Sequence, residues 1–124
     1  MKLLDTSIWI EWLTGSALAS RFKAEFSALE SVVIPSIVQY ELYKWMLRER
    51  SELEADQLMA FTTSGLVMPL DTGVATLAAE LSLRHKLHAT DALVYATSLA
   101  SNAPLVTCDA HFRELPHVDY HEKV

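Results

Sequence analysis

The chain has 124 residues, 51% hydrophobic and 21% charged, with a formal net charge of −6, which is the size and balance of one globular domain rather than a disordered segment. No apolar run approaches the ~20 residues needed to cross a bilayer, and Asp5 stands where a signal peptide would be apolar. The lone Cys108 has no internal disulfide partner, so a reducing, cytoplasmic setting is expected.

Three glycines and four prolines leave little punctuation, and helices with short connections are expected to dominate. Residues 2–4 read as a short strand ending at Asp5. Ser7 is placed to cap a helix through Ile8, Trp9, Ile10, Trp12 and Leu13, which Gly15 closes. A second helix is expected over about residues 17–29, because Leu18, Phe22, Phe26 and Leu29 share a face. The β-branched run Val32-Val33-Ile34 reads as a buried strand that Pro35 ends. Ser36 and Gln39 have capping-box spacing, which opens a helix to about Arg48 with Glu41 in its second turn. Ser51 and Glu54 repeat that spacing and open a helix to about Thr62.

Gly65 then breaks the chain, and residues 66–68 form a third strand. Asp71 or Thr72 caps a helix carrying Val74, Leu77, Ala78 and Leu81 at helical spacing. Residues 88–90 lead into an alanine-rich helix from Asp91 to about Ala100. A fourth strand covers residues 104–107, a helical turn follows near residues 111–114, and residues 118–120 supply a last edge strand. Short strands alternating with longer helices predict a single α/β domain whose mainly parallel sheet is covered by helices on both faces.

In such a sheet, functional groups gather beyond the carboxyl ends of the strands. Asp5 follows the first strand, Asp109 follows the fourth, and Glu41 lies early in the helix that leaves the second. Asp91 opens a helix, where the partial positive charge favours a carboxylate. Each has a structural alternative. Asp5 and Asp109 can end strands or cap helices, and Asp91 suits a helix start. Glu41, between Tyr40 and Leu42, has the weakest such reason. Four carboxylates at one edge repel one another unless protons or cations intervene. Oxygen ligands suit hard ions such as Mg²⁺ or Mn²⁺, whose characteristic chemistry in acidic pockets is phosphoryl transfer. The acidic net charge argues against a passive nucleic-acid binder but is compatible with a nuclease that holds cations.

Four segments carry a family resemblance. Leu3-Leu4-Asp5-Thr6-Ser7 pairs an apolar strand and an Asp with a small polar residue two places on. The others are residues 36–42 with Glu41, Ala89-Thr90-Asp91-Ala92, and Thr107-Cys108-Asp109-Ala110-His111-Phe112 after a strand. In this order they resemble the motifs of the PIN-domain ribonucleases, and among these the VapC toxins of bacterial toxin–antitoxin pairs. The resemblance spans essentially the whole chain, with no acidic residue missing.

It implies a three-layer α/β/α sandwich and endonucleolytic hydrolysis of RNA, commonly transfer or ribosomal RNA. Asp5, Asp91 and Asp109 would hold Mg²⁺ or Mn²⁺, directly or through waters. Glu41 would orient or deprotonate the attacking water. Ser7 and Thr107 would steady carboxylates or metal-bound water, with helix capping and strand-end packing as their alternatives. The resemblance also implies a homodimer and a VapB-type antitoxin whose C-terminal segment enters the cleft. The complex would bind its own promoter through the antitoxin.

Two basic groups stand near these motifs. Arg84, His85, Lys86 and His88 precede Asp91, and Arg84, Lys86 and His88 are candidates for RNA phosphate contacts. Lys44, Arg48 and Arg50 end the Glu41 helix, where complementing the helix dipole is the stronger reason for them. The five histidines suggest no metal site, and His117 and His121 are expected to be solvated. Trp9, Trp12, Tyr40, Tyr43 and Trp45 are divided between core packing and a face for the antitoxin or a second subunit. A phosphatase of the haloacid dehalogenase type also begins with a strand and an Asp, but it wants a second Asp where Ser7 stands and a Lys before the late acidic motif. A non-catalytic RNA-binding or regulatory subunit with the same fold is the other alternative.

Overall fold

A computed structural model describes residues 1–123. Its strands are β1 (Lys2–Leu4), β2 (Val32–Pro35), β3 (Leu66–Met68), β4 (Leu105–Thr107) and β5 (Val118–Tyr120). The helices are α1 (Thr6–Leu13), α2 (Lys23–Ser27), α3 (Ser36–Glu49), α4 (Glu52–Thr62), α5 (Thr72–His85) and α6 (Ala89–Ser101). The five strands form one sheet in the order β3-β2-β1-β4-β5, and every pairing is parallel. The sheet and the helices make the three-layer α/β/α arrangement. None of the described helices is long and apolar enough to cross a membrane.

Strand β1 sits in the middle of the sheet. Leu3 pairs with Val33 on one side and Leu105 on the other. Leu3, Leu4, Ile34 and Leu105 are fully buried, as expected for short apolar strands covered on both faces. Because all strands run the same way, their carboxyl ends share one edge. Asp5 and Asp109 therefore leave the sheet on the same side.

An aromatic cluster locks α1 to its neighbours. Trp9 is fully buried, edge-on to Phe26 at 4.9 Å and to Phe61 at 6.2 Å between ring centroids. Trp12 stacks on Phe26 at 4.2 Å with the planes 5° apart. This packing overrides the single helix expected over residues 17–29. The segment is a 3₁₀ helix (Ala17–Phe22), then α2, then a 3₁₀ turn (Leu29–Ser31). The breaks fall at Phe22 (φ −116°, ψ 16°) and Ala28 (φ −137°, ψ 61°). Leu18, Phe22, Phe26 and Leu29 all remain buried, so the apolar pattern is satisfied by a bent path as well as by a straight one.

Some local chemistry also differs from expectation. Ser51 caps α4 by accepting the Glu54 N–H at 3.2 Å, and its hydroxyl donates to Glu54 Oε2 at 3.0 Å in place of the reciprocal backbone bond of a full capping box; Asp71 caps α5 through the Val74 N–H at 2.9 Å. The Ser36 and Gln39 pair does not form a box. Pro35 holds the cap position, Ser36 Oγ accepts the Leu70 N–H at 3.2 Å, and Gln39 donates to Thr62 Oγ1 at 3.0 Å. Both side chains are thus drawn into tertiary contacts between α3 and the elements after it. His117 and His121 are partly buried rather than solvated. The His117 backbone has φ +69°, and the His121 ring packs edge-on to Phe22 at 5.1 Å.

Gly65 is required by close approach. A Cβ there would run into Ile34 Cδ1 in the core and come within 3.2 Å of the Leu29 carbonyl. Gly65→Ala is expected to cost about 1–3 kcal/mol, the usual penalty for overpacking. Combining it with Ile34→Val, which removes that methyl, should cost less than the sum of the single changes. Urea denaturation of the four proteins checks this, and strict additivity would rule out the clash as the cause.

Candidate active site

The centre of the site is Asp5, 6% exposed at the end of β1. Ser7 Oγ and Thr107 Oγ1 each donate to Asp5 Oδ2 at 2.8 Å. Ser7 Oγ also accepts the Cys108 N–H at 3.1 Å, and Thr107 Oγ1 accepts the Asp109 N–H at 2.9 Å. Each hydroxyl has one proton and directs it to the carboxylate. Ser7 does not cap α1, because Asp5 occupies the cap position and Ser7 lies inside the helix. Burial pushes the Asp5 carboxyl up; Thr107 and Ser7 oppose that shift, and the Asp109 charge adds to it.

Glu41 reaches the same region from α3. It accepts the Thr6 hydroxyl at 2.7 Å. Its carboxyl is pushed up by burial, against the Thr6 hydrogen bond, and by the charges of Asp5, Asp91 and Asp109. Asp91 lies in the first turn of α6. Burial raises it first and the Asp109 charge second, while His111 lowers it. The four acids expected from sequence therefore feel one another's charge.

Within the cluster the spacing is uneven. Ligand atoms of Asp91, Asp109 and His111 all lie within 4.8 Å of one another, a set that excludes Asp5 and Glu41. His111 Nδ1 is 3.2 Å from Asp91 Oδ2 and 3.3 Å from Asp109 Oδ1. This corrects the expectation that no histidine belongs to a metal-capable group. Asp109 also caps a 3₁₀ turn (Ala110–Phe112) through the His111 N–H at 2.9 Å, so its capping role and its place in the cluster coexist. Sequence reading missed the contacts of Thr6 and His111. Both residues lie inside quoted motifs, one place after Asp5 and two places after Asp109, and that adjacency was the available signal.

Two pockets meet the cluster. One of about 460 Å³ includes Ser7, Cys108, Asp109, Tyr120 and Lys123 in its lining. Another of about 410 Å³ includes Thr6, Glu41, Lys44, Arg48 and Thr90. The geometry thus brings the α3 cations, which sequence reasoning assigned to the helix dipole, beside Glu41. Arg50 is drawn away, donating to the Leu13 carbonyl at 2.8 Å. Arg84 and Lys86 are exposed at the end of α5 and line neither pocket. His88 is exposed before α6, its ring 5.8 Å from that of His111.

Asp5, Glu41 and Asp91 each have a carboxyl raised above its ordinary value. Their contribution to stability is full below the ordinary carboxylate range and is lost as pH rises through the raised values. With a chelator present, Glu41→Gln keeps an acceptor for Thr6 and removes one charge. It is expected to raise the melting temperature by a few degrees at neutral pH, and the gain should shrink on acidification. A variant that melts lower than the parent at neutral pH would contradict this account of the cluster.

The sequence model of the PIN domain matches residues 2–118. No curated protein is similar enough in sequence to be matched. Among solved structures, the chain is similar to a toxin–antitoxin complex from Klebsiella pneumoniae, with a TM-score of 0.83 and 22% identity over 98% of this chain and 99% of that one. It is also similar to VapC20 of Mycobacterium tuberculosis, described as a sarcin–ricin loop cleaving toxin, with a TM-score of 0.76 and 21% identity over 94% and 95%. A third is VapBC2 from Rickettsia felis bound to a fragment of its promoter DNA, with a TM-score of 0.75 and 18% identity over 99% and 98%. The sequence match over nearly the whole chain, with the parallel sheet and the acids at its edge, makes this protein a member of the PIN-domain family.

Proposed function

We propose that the chain is a divalent-cation-dependent endoribonuclease and the toxin of a type II toxin–antitoxin pair, acting in the cytoplasm. The observation that carries this reading is the gathering of Asp5, Glu41, Asp91 and Asp109 at the carboxyl edge of a parallel sheet. Membership of the PIN-domain family supports it, as does likeness to solved toxins and toxin–antitoxin complexes.

The donor set fits a hard cation. Ligand atoms of Asp91 and Asp109 lie close enough to share an ion, and burial and repulsion raise the carboxyls in a way that an ion would relieve. Asp91 and Asp109 would hold Mg²⁺ or Mn²⁺, with Asp5 behind them, directly or through water. A bound ion supplies positive charge at the phosphate and a more acidic water. Glu41 carries a raised pKa, which suits a general base for the attacking water. Thr6 fixes the rotamer of Glu41, while Ser7 and Thr107 fix that of Asp5. Lys44 and Arg48 bring positive charge to RNA phosphates beside Glu41.

The substrate would be a structured RNA such as transfer or ribosomal RNA. A VapB-type antitoxin and a second copy of the chain would be the protein partners. A pocket of about 720 Å³ on α3 and α4, including Tyr40, Tyr43, Leu47 and Met59, supports such a partner face.

Purified full-length protein is expected to cut such an RNA with Mg²⁺ or Mn²⁺ and to stop when the ion is chelated. Glu41→Gln should lower the cleavage rate by about 10²–10⁴-fold, the range for loss of a general base, with RNA binding retained. Asp5→Ala should relieve toxicity in cells. RNA binding without cleavage under either ion would favour the non-catalytic subunit instead. Phosphate release from small monoesters would favour a phosphatase.

A further inference from the structure

We infer that His111 is a direct metal ligand, so that the acidic cluster binds its ion through two carboxylates and one imidazole nitrogen. The inference rests on the cation dependence proposed above and adds a donor to it. Adjacent ligands on an octahedron with arms of about 2.1 Å stand about 3.0 Å apart. His111 Nδ1 lies 3.2 Å from Asp91 Oδ2 and 3.3 Å from Asp109 Oδ1, close to that edge length for both neighbours. The three donor atoms all fall within 4.8 Å of one another.

The position of His111 is built rather than incidental. Its backbone N–H is tied to Asp109 Oδ1 at 2.9 Å, which anchors the residue at the start of the 3₁₀ turn. The next residue, Phe112, is fully buried and holds that turn in the core. The His111 side chain is 60% exposed, yet its Nδ1 faces the two carboxylates. The His88 ring stands edge-on to it at 5.8 Å, tilted by 65°.

An imidazole changes which ion the site prefers. Mg²⁺ takes oxygen donors and gives up its waters reluctantly. Imidazole suits transition ions, and affinity at a mixed site follows the order of those ions. This chain should therefore favour Mn²⁺ over Mg²⁺ more strongly than an all-carboxylate cluster would. The competing role for His111 is as an internal cation that merely fills the gap between Asp91 and Asp109. The two roles predict opposite signs. Removing a ligand weakens binding of the preferred ion, whereas removing a competitor tightens binding of every ion.

The test uses the full chain and the ions alone, without RNA. Titration calorimetry gives the affinities of the parent, His111→Ala and His88→Ala for Mn²⁺ and Mg²⁺. Pulsed electron paramagnetic resonance of bound Mn²⁺ detects a coordinated nitrogen. The parent and His88→Ala should show nitrogen coupling, and His111→Ala should not. Mn²⁺ affinity should fall at least about tenfold in His111→Ala, a typical loss when support for a metal is removed. Mg²⁺ affinity should change less, so the ratio between the ions narrows. Unchanged melting in the presence of a chelator confirms that the variant is folded.

Nitrogen coupling absent from the parent, or lost in His88→Ala instead, overturns the assignment. So does tighter binding of both ions by His111→Ala. If neither ion binds the parent, the proposed cation dependence falls as well. If Mn²⁺ binds without nitrogen coupling, only the role of His111 falls.

Discussion

A buried carboxylate accepts hydrogen bonds from two hydroxyls that lie 100 residues apart in the chain. That junction at Asp5 organises the rest of the site. Thr107 and Ser7 each link Asp5 to a backbone N–H of the segment leaving β4. The exits of the neighbouring strands β1 and β4 are thereby clamped at one point, and the clamp brings Asp109 to the edge that holds Asp5. Hydrogen bonds to a charged acceptor contribute about 1.5–3 kcal/mol each, which offsets part of the cost of burying the charge. Burial still dominates, since the Asp5 carboxyl remains raised.

The cluster is a place where stability and chemistry pull apart. Glu41 and Asp91 approach Asp5 and Asp109 although each approach raises a carboxyl pKa. Nothing in the packing of α3 or α6 requires an acid there. Val38, Leu42 and Met46 bury α3, and Ala92, Val94, Tyr95 and Ala96 bury α6. Strain of this kind is a recognised mark of functional sites. Around the acids, the chain supplies positive charge sparingly, through Lys44 and Arg48 on one pocket and Lys123 on the other.

Most of the fold was legible in sequence because its signals are local. Val32-Val33-Ile34, the alanine-rich run after Asp91 and the capping pair Ser51 and Glu54 each announce an element within a few residues. The parallel order followed from the alternation of short strands with helices. The failures involve distance in sequence. Phe26, beyond the bend at Phe22, packs on Trp9 and Trp12, and Ser36 and Gln39 are claimed by Leu70 and Thr62 rather than by each other. At the site, the positions of the acids could be read, since a residue after a parallel strand must lie at one edge. The partners of those acids could not. Thr6 meets Glu41 across 35 positions, and His111 meets Asp91 across 20.

The central placement of β1 has a consequence for synthesis. Strand β1 is flanked by β2 and β4, and the second of these neighbours begins only at Leu105. The clamp on Asp5 needs Thr107, and the cluster needs Asp109. Contacts this distant in sequence are among the last to form. A chain translated only as far as α6 therefore lacks both the Thr107 clamp on Asp5 and Asp109 itself, and the acidic cluster is assembled only after β4 has been made.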